Sequence, residues 1–211
     1  MNEQHVWQML DGLVTSLQLT AASLAVGCIL ALLMTLTLIL RTPGLHWVSR
    51  GIITLFTGTP LLVQIFLVYY GPGQFDAVRE SVLWTWLSQP WFCAMLALAL
   101  NTAAYSTQLF KGAFNAIPSG QWQACRALGM NKSATLRVLL PYAIRRAVPA
   151  YSNEVILVFK GTSLASTITI MDLMGYAQRI NAQLRYINGL RCSRRVLSER
   201  ERDSDAYLPP S

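Results

Sequence analysis

The sequence predicts an all-α fold, a polytopic bundle of membrane-crossing helices, and three observations predict it. Only 13% of the 211 residues are charged and 53% are hydrophobic, against roughly 25% charged in an average soluble domain. No Asp, Glu, Lys or Arg falls within residues 12–40, 51–75 or 81–110, and each stretch exceeds the ~20 residues that cross a bilayer as a helix. Third, most of the remaining cations are gathered between the apolar runs, as membrane topology requires. Buried helices of soluble proteins are apolar too, but they seldom run beyond ~14 residues without a polar stripe.

The N-terminal segment holds Glu3 and Asp11 and no Lys or Arg, the reverse of the charge of a secretory signal peptide. A first span is predicted over about 12–40. Thr42-Pro43-Gly44 then turns the chain, and Gly71-Pro72-Gly73 closes a second span over 52–71, since Pro fixes φ and Gly tolerates positive φ. Trp84, Trp86 and Trp91 open a third span, 84–110, where indole rings suit the membrane interface. A fourth, 147–170, is interrupted by Pro149, Glu154, Lys160 and Gly161. Such interruptions are tolerated where a helix faces protein or a water-filled cavity, which marks it as the pathway-lining element.

Lys and Arg counts orient the bundle. The N-terminus has none, the loop after span two has Arg79 beside Asp76 and Glu80, and residues 111–146 carry Lys111, Arg126, Lys132, Arg137, Arg145 and Arg146 without a carboxylate. The N-terminus is predicted outside and this basic loop inside. From 184 to 211 the composition turns Arg-rich and mixed in charge, and a disordered or aberrant tail is expected.

The formal charge of +7 is accounted for by this loop charge and gives no reason to invoke nucleic acid. Cys28, Cys93, Cys125 and Cys192 show no paired spacing, so neither a disulfide nor a metal site is expected. His5 and His46 have no ligand-spaced companions, and no catalytic constellation emerges.

Within the basic loop, Pro118 and Ser119 suit a helix start, Gly129 a left-handed residue past its end, and Asn131 or Ser133 the cap of a second helix through Leu136, Leu139 and Leu140. This helix-turn-helix either lies on headgroups or docks a partner. Gln123-Ala124-Cys125 with Gly129 and Pro141 resembles the coupling loop of ABC-importer permeases, although Gln123 and Cys125 depart from its Glu-Ala-Ala triplet. Residues 56–64, Asn101-Thr102-Ala103-Ala104-Tyr105, Gly120-Gln121, Ala127-Leu128-Gly129, Asn153-Glu154 and Lys160-Gly161-Thr162-Ser163-Leu164 resemble the polar amino acid permeases in family order over about 12–183. The arginine-importer permeases of Gram-negative bacteria are the most similar group.

The resemblance implies a type I ABC importer transmembrane domain over residues 1–183 in the bacterial inner membrane. It implies a second permease subunit, an ATP-binding subunit and a periplasmic amino-acid-binding protein as partners. No G-x-x-x-x-G-K-[ST] occurs, so this chain is expected to be no enzyme and to hold no cofactor, with ATP and Mg on the partner. Coupling to the ATPase would fall to Gln121, Gln123, Ala124, Cys125, Arg126, Leu128, Gly129 and Met130. Candidate substrate contacts are Glu154, Asn153, Thr57 and Gln64, since a buried carboxylate matches a guanidinium in two-pronged geometry. For Glu154 a structural pair with Lys160 or a neighbouring subunit stays open, and for Thr57, Thr59 and Gln64 interhelical packing does.

Such permeases have a fifth span ending inside, which the sequence after Gln183 does not supply. A truncation or altered reading frame, with impaired transport, is the expectation there. The rival functional class is a channel or secondary transporter working without an ATPase, and another polar amino acid remains an alternative substrate.

Overall fold

The computed structural model describes residues 3–40 and 43–186, most of them helical and none of them in a strand. Helix α1, Glu3–Leu40, is 38 residues long, about 57 Å at 1.5 Å per residue, against a hydrocarbon core of ~30 Å. It starts well before residue 12 because the polar first turns need not sit in lipid.

The span expected over 52–71 is a broken pair, α2 Leu45–Gly58 and α3 Leu61–Tyr70, bent by 112°. Pro60 supplies the break. It has no N–H and forces its predecessor out of the helical region, and Thr59 is extended at φ −117°, ψ 145°. A 3-10 turn and two one-turn helices, α4 Asp76–Arg79 and α5 Trp84–Leu87, lead to α6 Pro90–Asn115, with Pro90 in its first turn. The helix at the predicted third span therefore begins at 90 rather than 84, since the Trp84 to Leu87 turn is a separate element, and α6 is not among the helices apolar enough to cross a membrane by length and composition.

Helix α7 covers Ser119–Ala127, and α8, Lys132–Gly161, continues into a 3-10 segment, Thr162–Ile168. The fourth span thus starts inside the segment read as loop and runs unbroken through Pro141 and Pro149. After a 54° bend comes α9, Leu173–Tyr186. Asp172, 1% exposed, begins it by accepting the Gly175 N–H at 2.8 Å. Residues 184–186 are the last turn of α9 rather than the start of the tail, and 187–211 lie outside the described residues.

By length and composition α1 qualifies as a membrane span, and α2 with α3 and α8 with α9 qualify as bent pairs. Helix α6 is the axis, packed against α1 most extensively and then against α8, α3 and α2. Its buried face is Ala94, Ala97, Thr102, Ala103, Ser106, Thr107 and similar small residues, while Leu32, Leu33 and Leu36 of α1 point outward. That is the membrane arrangement, in which small and weakly polar groups allow backbones to approach and large apolar groups meet lipid. Ser23 Oγ donates to Met95 O at 3.3 Å across the α1–α6 seam.

Gly27 lies at the tightest point of that seam: a Cβ there would overlap the Thr102 methyl and crowd Ala99 O at 3.0 Å. Gly27→Val should destabilise the bundle by about 1–3 kcal/mol, read as a lower unfolding temperature of the detergent-solubilised protein. Gly112→Val, where nothing lies within 4 Å, is the silent control.

Candidate functional site

Two regions carry the predicted residues. The first surrounds the α2–α3 break. Gln64, 4% exposed, donates through Nε2 to Phe56 O at 2.8 Å and to Thr59 O and Oγ1 at 2.9 Å. Asn101 Nδ2 of α6 donates to Gln64 Oε1 at 2.9 Å and to Phe56 O at 3.4 Å. These amides satisfy carbonyls that the bend frees from helical pairing, which hydrocarbon could not do. Gln64 is thereby committed to backbone, with three acceptors for two hydrogens. Thr57 Oγ1 donates to Ile53 O at 2.8 Å and lies 3.5 Å from Gln108 Nε2, while Tyr105 Oη reaches Thr57 O at 3.5 Å.

Glu154 of α8 is 9% exposed and accepts from Thr102 Oγ1 at 2.6 Å. Among the described residues Thr102 is its one hydrogen-bond donor. Lys160 is exposed and six residues along, roughly 240° around the helix, so the intrahelical pair considered from sequence does not form. The carboxylate lines a cavity of about 220 Å³ with Leu61, Leu98, Asn101, Tyr105, Leu157 and Val158. Asn153 is exposed on another face of α8. Glu154 and the Gln64–Asn101 pair therefore converge on one region, with Thr57 on its edge, and Asn153 stands apart.

Asn101, Thr102 and Tyr105 complete this region, though the sequence reading assigned them no site role. The signal was present in Asn101-Thr102, two polar residues inside an otherwise uncharged apolar run.

The second region is the α7 hairpin. Gly129 adopts φ +67°. Met130 N–H bonds Cys125 O at 3.0 Å and Gly129 N–H bonds Arg126 O at 3.0 Å, the Schellman closure that only a left-handed residue permits. Asn131 Oδ1 accepts the Ala134 N–H at 2.8 Å and starts α8, so of the two proposed caps it is Asn131 that serves. A small core holds the hairpin to the bundle: Ile117, Cys125, Leu139 and Ala143, packed by Phe114, Trp122, Met130 and Tyr142.

The predicted coupling set divides accordingly. Cys125 is 5% exposed and Met130 packs on the same core, so both face inward. Gln121 is half-buried. Gln123, Ala124 and Arg126 are exposed, and Leu128 is 78% exposed, an isolated apolar side chain presented outward.

A broken helix pair, a buried carboxylate beside a cavity and an outward hairpin suit the membrane component of a transporter, and the family match shows that class. The chain belongs to the family described as binding-protein-dependent transport system inner membrane component, whose pattern it matches over residues 23–183. It is a permease subunit of an ABC importer.

It is 62% identical to the arginine ABC transporter permease protein ArtM of Escherichia coli K12, over 83% of this chain and 79% of that one. The Haemophilus influenzae ArtM is 57% identical, over 85% and 79%. The octopine transport system permease protein OccM of Rhizobium meliloti is 46% identical, over 82% and 71%. Among solved structures, an amino acid ABC transporter with histidines superposes with a TM-score of 0.76 at 28% identity, covering 95% of each chain. The MetNI methionine ABC transporter, at 19% identity and a TM-score of 0.67 over 94% of this chain and 99% of that one, shares the fold.

Gly129→Val should strain the hairpin closure by roughly 1–2 kcal/mol and expose its core. The expected readout is faster maleimide labelling of Cys125 in the purified chain, with labelling of Cys93 unchanged; equal Cys125 rates would show that the closure does not depend on Gly129.

Proposed function

We propose that this chain carries L-arginine, or a closely related guanidino amino acid, across the bacterial inner membrane as one of two permease subunits in an ATP-driven importer. The relatives at 57–62% identity are arginine permeases, and an octopine permease follows at 46%. The observation that carries the substrate reading is Glu154, a carboxylate almost sealed from solvent, bonded by one neutral hydroxyl and open to a cavity. An uncompensated carboxylate in such a place is costly, and a passing cation would offset that cost. A cavity of about 220 Å³ is below the roughly 300–1,000 Å³ of a complete small-molecule site, which fits a pathway whose other wall belongs to the second permease. Asn101 and Tyr105 line the cavity beside Glu154, and Gln64 acts by holding Asn101.

The outward hairpin is read as the docking element for a separate ATP-binding subunit that holds ATP and Mg, with a periplasmic amino-acid-binding protein delivering substrate at the opposite face. Leu128 would enter an apolar recess and Arg126 would meet a carboxylate of the ATPase. Hydrolysis would move the hairpin as a rigid body with α8. The six cations of residues 111–146 support a cytoplasmic hairpin and a periplasmic N-terminus.

In a complex reconstituted with its ATPase, partner permease and binding protein, Glu154→Gln should lower uptake of labelled arginine by tenfold or more while basal ATP hydrolysis persists. Intact arginine uptake would remove Glu154 from the pathway. Leu128→Asp, or the strained Gly129→Val, should leave the ATPase active but no longer driving uptake, seen as hydrolysis without transport.

A further inference from the structure

A second cavity, about 610 Å³, lies at the hairpin end of the bundle, between the end of α1, the start of α2 and the end of α6. It is lined by Leu38, His46, Trp47, Arg50, Lys111 and Phe114 among others, with no carboxylate among the described residues. The Arg50 guanidinium sits 5.9 Å from the Trp47 ring centroid, a cation–π contact that helps orient it. The walls are tied by the Thr37–Ser49 hydroxyl bond of 2.8 Å between α1 and α2.

The cavity continues, across the shared side chains of Trp47 and Arg50, into an open groove along α2 lined by Gly51, Thr54 and Leu55. A cationic recess thus adjoins an apolar track. Leu40, Leu45, Val48 and Leu55 around them are 55–62% exposed, a surface that belongs against hydrocarbon rather than against a soluble protein.

We propose that this composite cleft binds one anionic phospholipid, its phosphodiester between Arg50 and Lys111 and one acyl chain along Gly51 and Leu55. Charge complementarity selects the headgroup: two cations facing one cavity without a counter-ion among the described residues match a phosphodiester, and a zwitterionic lipid brings its own cation to repel them. Gly51 leaves room for the chain, since nothing lies within 4 Å of where its Cβ would be. Phe114 lines the cavity and also packs on the hairpin core, with its ring 5.5 Å from Trp122. An occupied cleft would therefore brace the hairpin.

The test is native mass spectrometry of the full chain titrated in detergent with phosphatidylglycerol, phosphatidylcholine or inorganic phosphate. The wild type is expected to retain phosphatidylglycerol on the order of tenfold more tightly than phosphatidylcholine. Arg50→Gln with Lys111→Gln should bring the two lipids level. Gly51→Phe, which fills the groove and keeps both cations, should weaken phosphatidylglycerol and leave phosphate binding as in the wild type. Undiminished phosphatidylglycerol preference in the double variant would overturn the headgroup assignment. Should that variant fail to purify, Gly51→Phe carries the test alone, and unchanged retention in it overturns the lipid. Full displacement of phosphatidylglycerol by equimolar phosphate would make this a site for free anions instead, and would equally overturn the proposal.

Discussion

Everything in this bundle depends on one constraint: a polar group placed at membrane depth must find its partner inside the protein. Helix α6 shows the constraint most fully. With Asn101, Thr102 and Thr107 in its middle, each bonded within the protein, it is a poor neighbour for lipid, so α1, α2, α3 and α8 surround it; Ser106 Oγ is the exception, buried with no hydrogen-bond partner among the described residues. The requirement selects small residues on both sides of the α1–α6 seam, because only close backbones bring hydroxyls such as Ser23 within reach of carbonyls across it. The same requirement explains why the chain can break at Pro60 without collapse. The two amides of Gln64 and Asn101 supply what the helix loses, so the break is a built element and the cavity beside it has a fixed wall.

Glu154 sits where these demands meet. Its neighbour Thr102 is also the residue that fills the notch opposite Gly27, so the packing of α1 on α6 and the position of the carboxylate's hydrogen bond are parts of one arrangement. A change meant to probe transport at Thr102 would disturb assembly, and a change meant to probe packing at Gly27 would shift the carboxylate's partner.

The membrane class and the helix-turn-helix of the basic loop were legible because they rest on local signals: uncharged runs, and Gly129 with Asn131 as stop and start. The break at Pro60 was equally written in Thr57-Gly58-Thr59-Pro60, yet hydropathy averaged across it hid two helices in one span. The continuity of the Asn131-capped helix with the fourth span was obscured because Arg145 and Arg146 read as loop, although a helix bears cations freely once it leaves the hydrocarbon. Pairings across distant elements were illegible altogether. Nothing local says that Thr102 meets Glu154, that Asn101 meets Gln64, or that Cys125 turns inward while Leu128 turns out, since those facts depend on helix rotation and crossing.

The Schellman closure at Gly129 has a mechanical meaning as well. It fixes the turn at Gly129 and Met130 that leads from α7 into α8, and α8 then runs on, through Pro141 and Pro149, to the carboxylate at 154. From Asn131 to Glu154 is about 35 Å of helix at 1.5 Å per residue. A tilt of ~5° about the hairpin end would swing the carboxylate by ~3 Å over that length, enough to make or break a hydrogen bond of 2.6 Å. The arm is long relative to such distances, so if the hairpin is the docking element proposed above, a small stroke at the surface would be geared up at the cavity and little of the bundle would need to deform.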